Sequence, residues 1–209
     1  MEENKMKDCI FTVQTEDKDI IKHIRDLYMS GNKIHYDPTY SKGNFYKDTD
    51  EPVIKSDLNC KYNVDFIAKF ENIPLKNDTI KSIMFDPPFL FIKTTKSTSQ
   101  GSKNESQIAK RFSKYETQSD LEESYISSFT EFKRILVHKG ILIVKCQDYL
   151  GGHKQFWAHV FVINELEKLG FRIIDLFIKH RTCGVIWNPL KIQRHARKNH
   201  SYYIVSRLF

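Results

Sequence analysis

The sequence predicts an α/β fold, a three-layer sandwich of helices around a mostly parallel sheet. Three features carry this: apolar stripes at helical spacing, apolar runs short enough for strands, and turn residues between them. The chain has 209 residues, enough for one well-buried domain and short for two. A single domain over 1–209 is expected, with a helical segment at 1–32.

The elements follow in order. Glu16–Ser30 reads as a helix because Ile20, Ile21, Ile24, Leu27 and Tyr28 share one stripe, with Thr15 as N-cap and Gly31 closing it. Lys33–Asp37 is a short strand broken by Pro38, and Pro52–Asp57 is a second that ends in an acid. Lys81–Phe85 is a third. Residues 93–120 are polar with few apolar positions, and are expected to form a long mobile loop able to close over a substrate. Ser124–Leu136 places Tyr125, Phe129, Phe132 and Leu136 on a helical stripe. Gly140–Lys145 reads as a deeply buried strand, Gln155–Lys168 as a helix ended by Gly170, and Phe171–Lys179 and His200–Arg207 as two last strands.

Composition narrows the function classes. With 40% hydrophobic and 28% charged residues the chain is ordinary globular protein. No run approaches the roughly 18 apolar residues of a membrane span, and no apolar core follows Met1-Glu-Glu-Asn-Lys5, so neither membrane nor secretion signal is expected. Cys9, Cys60, Cys146 and Cys183 are scattered without metal-ligand spacing, so no metal is expected and reduced thiols in a cytoplasmic or nucleoid-associated protein are the default. A net charge of +7 suits a polyanionic partner, although many lysine-rich proteins never touch nucleic acid.

The chemistry concentrates at Asp86-Pro87-Pro88-Phe89, directly after an apolar strand. Prolines end the strand, so a carboxylate, a rigid turn and an aromatic ring stand at the carboxyl edge of a sheet, where open α/β folds bind ligands. Pro87 and Pro88 also restrict the residues before them, which stiffens Asp86. The bland alternative is a strand terminator with no chemical role.

This tetrapeptide resembles the (Asp/Asn/Ser)-Pro-Pro-(Tyr/Phe/Trp) signature of S-adenosylmethionine-dependent methyltransferases that act on exocyclic amino groups of nucleobases. The resemblance implies a Rossmann-like class I methyltransferase sandwich whose sheet ends in an antiparallel hairpin, here the strands after Gly170 and at the C-terminus. It also implies S-adenosyl-L-methionine as cofactor. Asp86 and the Pro87 carbonyl would accept the two N–H bonds of the amine, Pro88 would hold the turn, and Phe89 would stack on an extruded base.

On the cofactor side, Tyr36-Asp37-Pro-Thr-Tyr40-Ser-Lys-Gly43 resembles the first strand and its cofactor loop, with Asp37, Tyr40 and Gly43 as contacts. The usual Gly-x-Gly is absent, and the loop is similar to a variant of small, solitary phage-type enzymes. Asp57 matches the acid that binds the ribose hydroxyls. Val64-Asp65-Phe66 resembles the segment that meets the cofactor adenine, Asp65 accepting from its amino group and Phe66 packing on the ring. Solvated turn acids would account for Asp57 and Asp65 equally.

Nucleic acid is assigned to the rim of the same edge: Lys145 and Gln147 after the fifth strand, Trp187 as a stacking residue, and the basic residues Arg194, His195, Arg197 and Lys198. A solvated basic loop and a core tryptophan are the alternatives. DNA is favoured over RNA and adenine N6 over cytosine N4. An RNA base methyltransferase and a catalytically silent methyltransferase-like binding subunit remain open, as do a homodimer and a specificity partner.

Overall fold

A computed structural model describes residues 9–89, 115, 117–151, 154–182, 195–196 and 198–209. Among the described residues there are ten strands: β1 (Val13–Gln14), β2 (Tyr36–Asp37), β3 (Ile54–Asp57), β4 (Phe66–Ile67), β5 (Ile80–Phe85), β6 (Leu136–Cys146), β7 (Tyr149–Gly151), β8 (Lys154–Phe156), β9 (Phe171–His180) and β10 (His200–Leu208). The α-helices among the described residues are α1 (Asp17–Tyr28), α2 (Gln118–Ile135) and α3 (Ala158–Lys168).

Eight strands form one sheet in the order β1-β9-β10-β6-β5-β2-β3-β4, and β7 pairs with β8 separately. From β4 to β6 every pairing is parallel, and β10 runs antiparallel to both β6 and β9. The predicted α/β sandwich with its closing hairpin is therefore the fold observed.

The continuous apolar runs follow from burial on both faces. Ile83, Phe85, Leu142 and Val144 pack toward Phe129 and Phe132 of α2 and Val162 and Leu166 of α3. Their neighbours Met84, Ile141 and Ile143 pack on the opposite face with Ile20, Ile21 and Ile24 of α1. A strand alternates its side chains between two faces, so both parities must be apolar here.

Topology places the site. β2 lies between β3 and β5. The chain steps outward from β2 to β3 and β4, then returns to β5 on the other flank of β2. At such a reversal a crevice opens beyond the carboxyl ends of the two strands. A clasp fixes the returning segment. Arg134 donates to the carbonyls of Ile73 and Leu75, to Asn77 and to Glu131, and Glu131 accepts from the Ile73 N–H.

Several boundaries differ from expectation. α1 starts after Glu16, whose side chain makes no cap hydrogen bond, so Thr15 is not the N-cap. α2 begins at Gln118, six residues before the expected Ser124. Thr117 and Asp120 form a capping box that extends the helix into the polar stretch. The rest of the expected 93–120 loop, except Tyr115, lies outside the described residues up to 114 and at 116. Lys154–Phe156 is a strand rather than the first turn of a helix, because it pairs with Tyr149–Gly151. β1 and β4 were not foreseen; two residues each leave no readable period. Among the described residues no helix is long and apolar enough to cross a membrane.

Candidate active site

A cleft of about 540 Å³ occupies the crevice and is lined by Asp17, Thr39, Tyr40, Ser41, Asp57, Asp86, Pro88 and Lys145, among others. Its volume lies within the range of ordinary small-molecule sites.

Asp86 leaves β5 at its carboxyl end. Its N–H donates to Thr39 Oγ1 at 2.9 Å, which couples the turn to the loop after β2. About a quarter of its side chain is exposed, yet Oδ1 is buried and has no hydrogen-bond partner. Burial pushes its carboxyl up to about 6, and Lys145 pulls against this. A buried acceptor with a free lone pair, in a residue that lines a ligand cleft, is an unsatisfied polar group that a donor would relieve.

Pro88 lines the cleft, and its carbonyl accepts from the Tyr125 hydroxyl at 3.2 Å. Pro87 is buried in the turn. Phe89 turns the other way, into an apolar hollow with Leu121, Tyr125, Phe156 and Phe161. The motif thus divides: Asp86 and Pro88 face the main cleft, and Phe89 faces the α2–α3 side.

Asp57 ends β3 on the opposite wall. Oδ2 accepts from the Ser41 N–H at 2.9 Å and Oδ1 from the Asn59 N–H at 2.8 Å. Each oxygen keeps a lone pair for another donor. Tyr40 lines the cleft, stacks on Tyr46, and donates from its hydroxyl to Glu51 at 2.7 Å.

Other candidates sit differently. Asp37 is fully buried and does not line the cleft. It accepts from the Thr39 N–H and hydroxyl and from the Tyr46 hydroxyl. Burial pushes its carboxyl up to about 7, against those hydrogen bonds. Its geometry shapes the loop rather than offering a contact. Gly43 adopts φ +64°, and an added Cβ would lie 2.4 Å from the Tyr40 hydroxyl, so it makes room for Tyr40. Asp65 Oδ2 accepts from the Lys55 N–H at 2.7 Å, and Phe66 stacks on Tyr36. Neither lines the cleft; the wall there comes from Leu58, Asn59 and Tyr62. A strand-edge carboxylate was captured by the neighbouring backbone, which spacing alone does not reveal.

On the nucleic-acid side, Gln147 donates to the His200 carbonyl and is absent from the cleft lining. Lys145 is not on the outer rim but inside the cleft. Trp187, Arg194 and Arg197 lie outside the described residues. His195 is exposed, and Lys198 places its ammonium 5.0 Å from the centre of the Trp157 ring. Trp157 itself is 52% exposed, an aromatic that the expected helix over 155–168 had hidden.

Asp17 is the residue least visible in sequence. It opens α1, lines the cleft, and contacts Lys145, 128 positions away. Burial raises its carboxyl, but Lys145, Lys179 and the Tyr203 hydroxyl outweigh that and hold it below its usual value.

No protein-family profile matches this sequence, and no curated protein matches it either. Solved structures do resemble it. TrmN from Thermus thermophilus aligns at TM-score 0.55 and 11% identity over 92% of this chain and 49% of that one. A protein from Galdieria sulphuraria, provisionally named a sarcosine dimethylglycine methyltransferase, aligns at 0.53 and 11% over 91% of this chain and 84% of that one. TTHA0409, also from Thermus thermophilus, provisionally named a DNA modification methylase and complexed with S-adenosyl-L-methionine, aligns at 0.43 and 15% over 65% and 48%. This chain spans about half the length of TrmN and of TTHA0409. At these identities the likeness concerns the backbone: the chain has a Rossmann-like α/β fold found among methyltransferases.

Proposed function

We propose that this protein is an S-adenosylmethionine-dependent methyltransferase acting on an exocyclic amino group of a nucleobase, adenine N6 in DNA before cytosine N4. The observation that carries the reading is Asp86, whose partly exposed side chain lines the switch-point cleft and whose buried Oδ1 has no hydrogen-bond partner. The name of the Galdieria fold neighbour supports a methyltransferase, and the net charge of +7 supports a nucleic-acid substrate.

The residues fit the cofactor. Asp57 has lone pairs for two ribose hydroxyls, Leu58 and Tyr62 supply apolar wall beside it, and the cleft is large enough. When bound, S-adenosylmethionine supplies an electrophilic methyl group on a sulfonium.

The chain's own part is placement and charge. The lone pair of an aromatic amine is delocalised into its ring. Asp86 accepts one N–H, which helps that nitrogen become tetrahedral and reactive; the second acceptor that the motif implies is the carbonyl of Pro87, a residue buried in the turn and absent from the cleft lining. Phe89, seated in the apolar hollow on the α2–α3 side, would stack on a base turned out of its helix only by leaving that hollow. No covalent enzyme intermediate is needed; positioning and preorganised acceptors lower the barrier. On this reading residues 1–209 act as one methyltransferase domain, with Lys198, His195 and exposed Trp157 meeting the nucleic acid. Trp187, Arg194 and Arg197, which lie outside the described residues, are assigned to nucleic acid from the sequence alone.

Asp86 must be ionised to accept. Its carboxyl titrates at about 6, so kcat falls as pH drops through 6, tenfold per pH unit below it, and is flat above about 7. A profile without that limb would mean that Asp86 is not the titrating acceptor.

The function itself is tested with labelled S-adenosylmethionine, duplex DNA, single-stranded DNA and tRNA, and nucleoside mass spectrometry of the products. N6-methyladenine in DNA is the expected product. A methylated base in tRNA alone would move the substrate to RNA. Cofactor binding without any product would identify a silent binding subunit.

A further inference from the structure

Asp86 shares its corner of the cleft with a charge network that the amine chemistry leaves unused. Lys145, at the end of β6, holds its ammonium 3.1 Å from Asp17 Oδ1 and 3.9 Å from Asp86 Oδ2. The same ammonium lies 4.5 Å from the centre of the Phe45 ring, and only 12% of the side chain is exposed. Asp17 is tied in turn to Lys179 of β9 and the Tyr203 hydroxyl of β10. Four elements of the fold converge on this network, and Asp86 is its end at the turn.

A single cation shared by two carboxylates does two things. It faces Asp86 Oδ2 across an ion pair too long for a hydrogen bond, while Oδ1 is buried without a partner. It also divides its attraction, because Asp17 is the nearer of the two acids. Lys145 is thereby committed inside the protein, so a phosphate could recruit it only by breaking the ion pair.

We propose that Lys145 is a positioning residue for the Asp86 carboxylate, and that Asp17 controls how strongly Lys145 acts on it. The proposal rests on the reading of Asp86 as amine acceptor. Around Asp86 stand the cations Lys145 and Lys179, the acids Asp17 and Asp37, the phenols of Tyr46, Tyr125 and Tyr203, and the Cys146 thiol. Asp17 and Lys145 act on it with opposite sign, and that opposition makes the proposal testable.

The test is a ¹³C-carboxyl NMR titration of the full chain without ligand, with the Asp86 resonance assigned by its loss in Asp86→Asn. Lys145→Met keeps the apolar stem on Phe45 and removes the charge. It should raise the Asp86 midpoint by about one pH unit or more. Asp17→Asn keeps an acceptor for Tyr203, frees Lys145 for Asp86, and should lower the midpoint. Lys145→Arg should stay near wild type. A midpoint unmoved in Lys145→Met, or moved the same way by both substitutions, overturns the proposal.

Kinetics supply a second readout. Lys145→Met should depress kcat and shift its acid limb upward while leaving KM for DNA unchanged. A raised KM with an unshifted limb would make Lys145 a phosphate contact instead. Because the titration needs no turnover, opposite midpoint shifts in a protein that methylates nothing would refute the methyltransferase reading and leave the Lys145–Asp86 coupling intact.

Discussion

Asp86→Ala is expected to lower kcat for methyl transfer on the order of 10³-fold while leaving the Kd for S-adenosylmethionine nearly unchanged. The substitution removes the free Oδ1 acceptor, but its Thr39 contact is made by the Asp86 N–H and survives. Asp57 and the Ser41 loop, assigned to the cofactor, are untouched. Asp86→Asn keeps an acceptor oxygen but loses the charge this reading requires, so it should fall nearly as far as Asp86→Ala and lose the acid limb near pH 6. Calorimetry with the cofactor, alongside single-turnover kinetics, separates the two steps. Activity retained in Asp86→Ala would remove this residue from the reaction.

The second large effect concerns stability. Asp37 has no exposed surface and satisfies three donors from Thr39 and Tyr46. Asp37→Ala leaves those donors unpaired inside the protein and should cost on the order of 3 kcal/mol. Asp37→Asn should behave differently. The folded carboxyl titrates at about 7 and the unfolded one near 3.8. The folded state therefore holds the extra proton between those values, and wild-type stability falls as pH rises from about 4 to 7. The loss reaches as much as about 4 kcal/mol across that window. The Asn variant lacks this slope, so it should match wild type near pH 4.5 and exceed it at pH 8 in urea unfolding. Parallel pH dependences for the two proteins would contradict a protonated buried Asp37.

Local features were legible and distant ones were not. The strand before Asp86 and its prolines are contiguous in sequence, so both the turn and its place at the sheet edge could be read directly. The closing hairpin was legible for the same reason, since β9 and β10 are long enough to show their composition. α2 was placed six residues late because its first turn is polar and only Thr117 and Asp120 announce it. Asp65 looked like a ligand residue because its role is decided by a Lys55 N–H that comes near only when β3 and β4 pair. Asp17 was invisible for a stronger reason. Its significance depends on Lys145, Lys179 and Tyr203, which three different strands bring to it.

The sheet is uneven across its width. β6, β9 and β10 contribute 11, 10 and 9 residues, whereas β2, β3 and β4 contribute 2, 4 and 2. Backbone amides of β6 and β10 are sealed by cross-strand partners on both flanks, and those of the short-strand side open at small free-energy cost. Hydrogen exchange will therefore split the molecule along β5: slow toward β10, fast toward β4. A molecule gripped by both Asp57 and Asp86 would stitch the two halves together, and the protection it confers would be largest where the protein alone has least.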